Sequence, residues 1–360
     1  MLRWARKLLS CGSGSCLPEQ VIFFITDKCN MACKHCFYWE HLNRETKEAT
    51  TDEIERFSKT MGHFSFLALT GGEPFLRDDI PEIIKIFRKN NSVTRISIPT
   101  NGFFTERILK TTTSILKDPK GFGLSVKISL DGLEEKHDSI RGTRGAFSRA
   151  IETYKELAEL KKTNPDFKVG IILTYSALNQ SSLPQTLDFI EEELCPDLIS
   201  LTLARGNAKD PKIKEADMTN YLCLYKRILS SYLCKHKGLS HRFYRAYKSK
   251  LSESVVQVKK HSRSLFTCHA GRLLCIIDSS LNVYPCEIIG KGLGNIRENG
   301  YDFRKLWFSP AAEELRKAVK DSKCYCTYEC GLQISMLFNF KILVSLMPEM
   351  LRSKNYGKYA

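Results

Sequence analysis

The run Cys29-Asn-Met-Ala-Cys33-Lys-His-Cys36-Phe37 decides the fold of this chain. It supplies three thiols, whereas a [4Fe–4S] cluster normally takes four cysteines. A loop with three thiolates therefore leaves one iron of such a cluster open to a ligand that is not protein. The apolar residues 21–25 directly before the loop are typical of a buried strand, so the cysteines follow the carboxyl end of that strand.

A second loop, Gly71-Gly72-Glu73-Pro74-Phe75, follows another apolar stretch at residues 64–69. Together the two loops resemble the signature of the radical S-adenosylmethionine (SAM) enzymes. Zinc is the alternative for the three cysteines, with His35 as a fourth ligand. Because His35 is adjacent to Cys36, chelation of one ion by both would be cramped, and zinc does not explain the second loop.

The composition limits the class of protein. The chain has 360 residues, 14 cysteines and a net charge of +15, which suits one large or two modest domains. The first ten residues have too short an apolar core for a signal peptide, so we expect a cytoplasmic protein with reduced cysteines. Eight cysteines fall at 29–36 and 268–330 with Cys275 set aside, and this grouping favours metal.

The positive charge is uneven along the chain. Residues 235–263 hold nine Lys or Arg and one acid, Glu253. The first interpretation is a solvated connector, and the second is a patch for an acidic partner such as a phosphate or an anionic membrane. The stretch lacks the motifs of a nucleic-acid module, so we expect no nucleic-acid partner.

Strand and helix patterns alternate from about residue 17 to 234. The predicted strands are 21–26, 64–70, 93–99, 124–130, 168–174 and 198–204, and the predicted helices are 78–90, 105–116, 146–162, 182–193 and 219–234, after a first helix capped by Thr50 and Glu53. Six such units predict a parallel sheet with crossover helices, either doubly wound or a barrel. The radical SAM resemblance implies an α/β fold, a partial (β/α)6 TIM-like barrel.

The pattern changes between residues 261 and 331. Two short apolar strands around a turn at 278–282 predict a β-hairpin with Cys268 and Cys286 at its bases. A helix at 309–320 is followed by Cys324-Tyr-Cys326-Thr-Tyr-Glu-Cys330. This resembles the small cysteine-rich SPASM and twitch domains of radical SAM enzymes, which hold auxiliary iron–sulfur clusters.

This segment has fewer candidate cysteines than a full SPASM domain, which holds two clusters. The smaller number favours a single auxiliary [4Fe–4S] cluster. By the resemblance Cys268 and Cys286 are ligands, Cys326 and Cys330 complete the set, and Cys324 competes with them. Cys275 lies within a strand and is expected in the core. Zinc is the alternative here too.

The predicted domains are 1–17, a basic segment; 18–235, the radical SAM core; 236–331, the auxiliary cluster domain; and 332–360, an apolar helix and tail. The mainly apolar residues 332–351 contain Lys341 and Pro348, which argue against a membrane-spanning helix. A helix packed on the body of the protein is the first interpretation, and a peripheral membrane contact is the second.

The resemblance implies that reductive cleavage of SAM gives a 5′-deoxyadenosyl radical that abstracts hydrogen from a substrate. It also implies the residues that contact SAM: Phe37 at the adenine, Gly71 and Gly72 at the methionine end, Glu73 and Pro74 in the loop that receives the amino group, and Thr100, Asn101, Ser129, Asp131 and Arg141 at the ribose and carboxylate. A surface position is the alternative for Arg141.

A reductant such as flavodoxin or ferredoxin is the expected partner. The substrate stays open between a small molecule, a lipid-linked sugar and a peptide, and it is expected to be acidic. About 17 residues precede the first strand, which is too short for a leader-binding domain. This favours a small molecule, a lipid-linked substrate, or a peptide that is recognised with the help of a separate protein. The competing class is a non-catalytic iron–sulfur electron carrier or a zinc protein, which does not need the second loop.

Overall fold

The computed structural model describes residues 16–117, 121–235, 238–322 and 324–351. Its centre is a sheet of six parallel strands: β1 (Gln20–Thr26), β2 (Phe66–Gly71), β3 (Arg95–Thr100), β4 (Gly123–Ser129), β5 (Phe167–Tyr175) and β6 (Leu198–Leu203). Each coincides with a predicted strand apart from its end residues. The predicted basic segment 1–17 falls almost wholly outside the described residues.

The order of the strands distinguishes a barrel from a doubly wound sheet. From β1 to β6 each strand pairs with the next one in the chain, without a reversal. A doubly wound sheet reverses direction at a switch point, whereas right-handed crossovers in one direction put all helices on one face. The six strands therefore form an incomplete barrel with its helices outside.

The helices of the barrel are α1 (Thr51–Met61), α2 (Ile80–Asn91), α3 (Thr105–Leu116), α4 (Glu134–Arg141), α5 (Ala146–Lys161), α6 (Leu183–Phe189) and α7 (Met218–Lys235). The predicted capping box is present: Glu53 N–H donates to Thr50 Oγ1 at 3.2 Å, and Thr50 N–H donates to Glu53 Oε2 at 3.0 Å. Helix α4 was not among the predicted helices.

The two faces of β1 pack against different parts of the protein. Val21, Phe23 and Ile25 join the large core beneath the helices, while Ile22 and Phe24 face inward and pack with residues of the cysteine-rich segment. This alternation follows from the two-residue period of a strand. The inner face of the barrel is thereby closed at one side by the cysteine-rich segment.

The predicted hairpin is present as β7 (Leu274–Ile277) and β8 (Asn282–Tyr284), followed by β9 (Gly294–Asn295). Strand β7 pairs in parallel with β1, so that one nine-stranded sheet runs from the barrel into the cysteine-rich segment. Helices α9 (Phe303–Trp307) and α10 (Pro310–Asp321) follow, and α10 matches the helix predicted at 309–320. The domain boundaries stay a prediction.

The interpretation of residues 235–263 as a solvated connector is wrong, because most of this stretch forms a helix, α8 (Leu239–His261), that packs on the protein. Its buried residues Tyr247, Leu251, Val255 and Val258 recur at helical spacing and form one apolar face. The Lys and Arg side chains between them obscured this period in the sequence. The charged face is solvated, but the helix is packed on the protein.

The described part of the chain ends in three short helices, α11 (Glu329–Leu337), α12 (Phe340–Ser345) and α13 (Met347–Leu351), where a single packed helix was expected. The Glu329 carboxylate accepts hydrogen bonds from Leu203 N–H and from Tyr221 O–H, both at 3.1 Å. Leu203 belongs to the edge strand β6, so α11 covers the open side of the barrel at that point.

We expect Glu53→Gln to lower the free energy of unfolding by about 2–3 kcal/mol, because Glu53 joins α1 to the cysteine-rich segment. Its carboxylate accepts from Arg297 Nε at 2.7 Å and from Tyr301 O–H at 2.8 Å, and chiefly Arg297 lowers the pKa of Glu53 to about 2. This stabilisation is complete above the ordinary pKa of 4.5 and is lost as the pH falls towards 2. Anaerobic denaturant unfolding at neutral pH measures the loss.

The matched control is Glu55→Gln on the same helix. Glu55 makes only surface ion pairs, with Lys59 at 3.3 Å and Lys89 at 3.6 Å, and such pairs contribute little. An equal loss of stability in both variants would contradict the special role of Glu53.

Candidate functional site

A cavity of about 250 Å³ lies at the carboxyl ends of the barrel strands. The predicted site residues that line it are Cys29, Cys33, Cys36, Phe37, Gly71, Gly72, Glu73, Thr100, Asn101, Ser129 and Arg141. They come from the loops after β1 to β4 and from the end of α4. Parallel strands bring these loops to one rim, which is why residues far apart in sequence meet there.

The loop of the three cysteines is held by a residue that sequence reasoning missed. Asn43 accepts from Cys29 N–H at 2.9 Å and donates to the Cys29 carbonyl at 3.0 Å, which fixes the start of the loop. The three thiols form no disulfide, and burial raises the pKa of Cys29 to about 12 and of Cys36 to about 11. The sequence around Asn43 contains no motif that would have identified this role.

The arrangement around the cysteines fits a cluster with three protein ligands. In the described part of the chain, no three Cys, His, Asp or Glu side chains converge closely enough for a single metal ion. The corners of a cubane are spaced more widely than the ligands of one ion, and the three thiols share one cavity. The ring of His35 lies against Asp131, with Nε2 3.6 Å from Oδ2. His35 is therefore paired with a carboxylate, which argues against its role as the fourth ligand of a zinc ion.

Gly71 and Gly72 have a packing role besides the expected one at the methionine end of SAM. A Cβ on Gly71, where φ is +134°, would lie 2.2 Å from the Thr26 carbonyl oxygen, and a Cβ on Gly72 would lie 2.2 Å from that of Lys28. Gly72 N–H donates to Thr26 O at 2.9 Å. The glycines therefore let the second loop pack directly on the loop of the cysteines.

Gly71→Val is accordingly expected to remove roughly half or more of the iron of the first cluster, besides weakening SAM binding, because the new side chain displaces the backbone just before Cys29. Iron analysis and electron paramagnetic resonance of anaerobic protein measure this. The control is Gly123→Ala, at a glycine whose added Cβ meets nothing within 4 Å. Full iron content in Gly71→Val would refute this role of the glycine.

Glu73 is a buried carboxylate held by three donors. Its oxygens accept from Thr100 Oγ1 at 2.8 Å, from Asn101 N–H at 2.7 Å and from Phe75 N–H at 3.2 Å. Burial raises the pKa of Glu73 to about 7 despite these bonds. A carboxylate has about four acceptor positions, so one remains for a further donor, and a cationic donor would favour ionisation. Pro74 does not line the cavity but begins the 3-10 turn Pro74–Leu76 that follows Glu73.

Arg141 lies inside the cavity wall rather than on the surface. Its Nη2 pairs with Asp131 Oδ2 at 2.5 Å, and its Nη1 donates to Cys33 Sγ at 3.8 Å. Burial acts to lower the pKa of Arg141, but Asp131 and Cys33 outweigh it and raise the pKa. Among the described residues the buried Nε of Arg141 has no hydrogen-bond partner. Arg141 therefore brings a fixed positive charge to the cavity wall.

Asp131 was expected to contact SAM directly, but the structure places it away from the cavity surface. It is fully buried behind Arg141, and its Oδ1 accepts from Thr174 N–H at 2.6 Å. Burial acts to raise the pKa of Asp131, but the positive charge of Arg141 above all holds it below its ordinary value. Asp131 therefore positions Arg141, and it is not part of the cavity surface.

Arg205 and Glu287 line the same cavity and were not predicted. Arg205 Nη2 donates to Glu287 Oε2 at 2.9 Å, and Tyr328 O–H donates to Glu287 Oε1 at 2.9 Å. The guanidinium carbon of Arg205 lies 5.0 Å from the ring centres of both Phe37 and Tyr328. Arg205 and Glu287 thus connect Phe37, which follows the third cysteine, with Tyr328 of the cysteine-rich segment. The Arg205-Gly206 turn after β6 was the only signal in the sequence.

A second, smaller cavity lies in the cysteine-rich segment. Four of the predicted cysteines line it: Cys268, Cys286, Cys324 and Cys326. Burial raises the pKa of all four thiols, to about 12 for Cys286 and about 11 for Cys326. Cys330 does not line this cavity, and its charged neighbours are Glu287, Arg205 and Glu329. Cys275 is fully buried in β7, as expected.

The chain is similar to known proteins over most of its length. A family model described as "Radical SAM superfamily" matches residues 23–190, which contain both predicted loops. An AdoMet-dependent heme synthase of Methanosarcina barkeri is 28% identical over 83% of this chain and 84% of its own length. The subtilosin biosynthesis protein AlbA of Bacillus subtilis is 31% identical over 88% of this chain and 67% of its own length.

Solved structures agree on the fold. The crystal structure of Streptococcus suis SuiB bound to S-adenosylmethionine has a TM-score of 0.61 at 20% identity, over 88% of this chain and 72% of that chain. The prediction of a partial barrel followed by a small cysteine-rich domain is confirmed.

Proposed function

Because the chain belongs to the radical SAM superfamily of enzymes, we propose that it abstracts hydrogen from an acidic substrate and oxidises it. Its cofactors are SAM, a [4Fe–4S] cluster with one open iron and an auxiliary cluster. When bound and reduced, the first two supply a 5′-deoxyadenosyl radical, and the protein supplies placement and exclusion of competing reactions. The observation that carries the proposal is the single cavity shared by the three thiols, Glu73 and Arg141.

We assign the first cluster to Cys29, Cys33 and Cys36, and the two ends of the methionine part of SAM to Glu73 and Arg141. The remaining acceptor position of Glu73 suits the amino group, and the positive charge of Arg141 in the cavity wall suits the carboxylate. Asp131 holds Arg141 in place through the 2.5 Å ion pair. Phe37, with Arg205 against its ring, is the proposed contact of the adenine.

Glu73→Gln is expected to raise the KM for SAM roughly tenfold to hundredfold, which is the effect of losing a charge-assisted hydrogen bond of about 1.5–3 kcal/mol. Iron content should not change, because Glu73 is not a cluster ligand. The assay is formation of 5′-deoxyadenosine by reduced protein at varied SAM concentration.

Two substitutions of Thr100 serve as matched controls for Glu73. Thr100→Ser keeps the hydroxyl donor to Glu73, whereas Thr100→Val removes it at nearly the same volume. The serine variant should resemble the native protein, and the valine variant should share part of the Glu73→Gln defect. A native KM in Glu73→Gln would exclude the proposed amino-group contact.

We assign the auxiliary cluster to Cys268, Cys286, Cys324 and Cys326. Four thiolates satisfy all four irons of a cubane, which then serves in electron transfer and not in binding of substrate. Cys286 lines the second cavity and its neighbour Glu287 lines the first, so one peptide unit connects the two cavities. This short connection supports an electron acceptor beside the substrate, and hence a net oxidation.

An acidic substrate is supported by a lysine in the barrel interior. Lys127 of β4 lies across Gly170, and its Nζ donates to Ser200 Oγ at 3.4 Å. It has no ion pair with any described carboxylate, and burial together with Lys248 lowers its pKa to about 8. Lys127 does not line the cavity of the three thiols. The proposed substrate therefore extends past that cavity to β4, where its anionic group compensates this charge.

The substrate could be a small molecule, a lipid-linked sugar or a peptide, and relatives named for heme synthesis and for bacteriocin biosynthesis span two of these classes. A reductant is required, and flavodoxin or ferredoxin is the proposed one. Cell-extract fractions that stimulate 5′-deoxyadenosine formation above the uncoupled rate identify the substrate. Retention of the active fraction on an anion-exchange resin would support an acidic substrate, and its passage through the resin would oppose one.

A further inference from the structure

The last two helices of the described chain expose a row of apolar side chains. Phe340 is 75% exposed, Val344 46% and Met347 57%, and the three follow one another at helical spacing. We call them the apolar stripe. On the opposite side Leu346 is buried against Ala246, Tyr247 and Leu251 of α8, so α12 and α13 lie on the surface with apolar side chains on both their packed side and their exposed side.

Positive charge surrounds the apolar stripe. Lys341 is exposed beside Phe340 on α12. A groove of about 450 Å³ next to α12 is lined by Lys250, Leu265 and Ile342, among others, with Glu253 as its acid. The exposed Lys259, Lys260 and Arg263 lead from the end of α8 to Leu265, which is itself 40% exposed. Apolar side chains rimmed by cations are typical of helices that lie in a membrane interface.

These helices do not form a span by themselves. Among the described residues, no single helix has the length and apolar composition to cross a membrane, although α11 and Phe340–Met350 together meet both criteria with an 86° bend between them. The first half of that pair is held inside the protein, since Glu329 accepts from Leu203 N–H and Tyr221 O–H. Of this bent pair, α12 and α13 are the part that is exposed to contact with a bilayer.

We propose that the apolar stripe on α12 and α13 inserts into the surface of a membrane that contains anionic lipids, with Lys250, Lys341 and the cations at the end of α8 contacting the headgroups. Charge complementarity selects this occupant, because Lys341 on α12, Lys250 in the groove and the three cations at the end of α8 outnumber the two acids of this region, Glu253 and Glu349. Side chains as exposed as Phe340 protrude from the helix, which suits insertion between lipids. The inference is independent of the proposed substrate and cofactor assignments.

The test is flotation of the anaerobically reconstituted full chain with vesicles of phosphatidylcholine, with or without about one fifth phosphatidylglycerol. We expect binding to the anionic vesicles at about 50 mM salt, weakened at about 500 mM. Phe340→Ser/Met347→Ser should reduce the bound fraction about tenfold or more, with unchanged iron content and SAM cleavage.

Phe308→Ser is the matched control, since Phe308 is 41% exposed at the end of α9 and lies outside the stripe. It should bind vesicles as the native protein does. Native binding by the double variant, or no binding by the native protein, would overturn the proposal. A native dimer in sedimentation that the double variant disrupts, without vesicle binding, would show that a second copy covers the stripe instead.

Discussion

Replacing Cys29, Cys33 and Cys36 together by Ala is expected to abolish 5′-deoxyadenosine formation and to remove about four irons per chain, the content of one cubane. The three thiols line one cavity with Glu73 and Arg141, and no other described cysteine lines it. About four irons should remain, with the spectrum of a second cluster, because the auxiliary cysteines line a different cavity.

The control for this triple variant is Cys195→Ala/Cys223→Ala. Both residues are exposed and line neither cavity, so iron content and SAM cleavage should stay native. Residual 5′-deoxyadenosine formation in the triple variant, or stoichiometric zinc without iron in the native anaerobic protein, would contradict the assignment of the first cluster.

Cys268→Ala/Cys286→Ala is expected to lose about four irons per chain as well, but with the opposite functional outcome. SAM cleavage without substrate should persist, since the first cavity keeps all its thiols, whereas substrate turnover should stop if the second cluster accepts the electron of the oxidation. Iron analysis, 5′-deoxyadenosine formation and product formation measure the three parts separately.

Cys330 provides the comparison within the auxiliary segment. Because it lies outside the second cavity, beside Glu287 and Arg205, Cys330→Ser should retain its iron, while Cys324→Ser or Cys326→Ser should lose much of it. Iron loss in Cys330→Ser with a native content in Cys324→Ser would reverse the ligand assignment. An unchanged iron content in Cys268→Ala/Cys286→Ala would remove the auxiliary cluster and the oxidation with it.

The sequence was sufficient to predict the strands and helices of the barrel, because the patterns that indicate them lie within short stretches of chain. Each strand is an apolar run closed by turn residues, and the first helix carries its capping box in four consecutive positions, from Thr50 to Glu53. Parallel strands must bring their carboxyl ends to one rim, so the meeting of Cys29, Glu73 and Thr100 also followed from the pattern.

The remaining parts depend on contacts between distant segments. The partners of Gly71 and Gly72 are carbonyls of Thr26 and Lys28, which no pattern around the glycines reveals. Cys330 stands near the start of α11, beside the charges of Glu287 and Arg205 and outside the second cavity, although its spacing from Cys326 is that of a ligand pair. Arg205 and Glu287 meet across the sheet, 82 residues apart.

Reductive cleavage of SAM tests the central claim most directly. The protein, purified and reconstituted anaerobically and then reduced with dithionite, is incubated with SAM, and the products are measured by liquid chromatography and mass spectrometry. We expect 5′-deoxyadenosine and methionine in equal amounts, dependent on reductant and on Cys29, Cys33 and Cys36. Iron-loaded, reduced protein that binds SAM but forms no 5′-deoxyadenosine would contradict it.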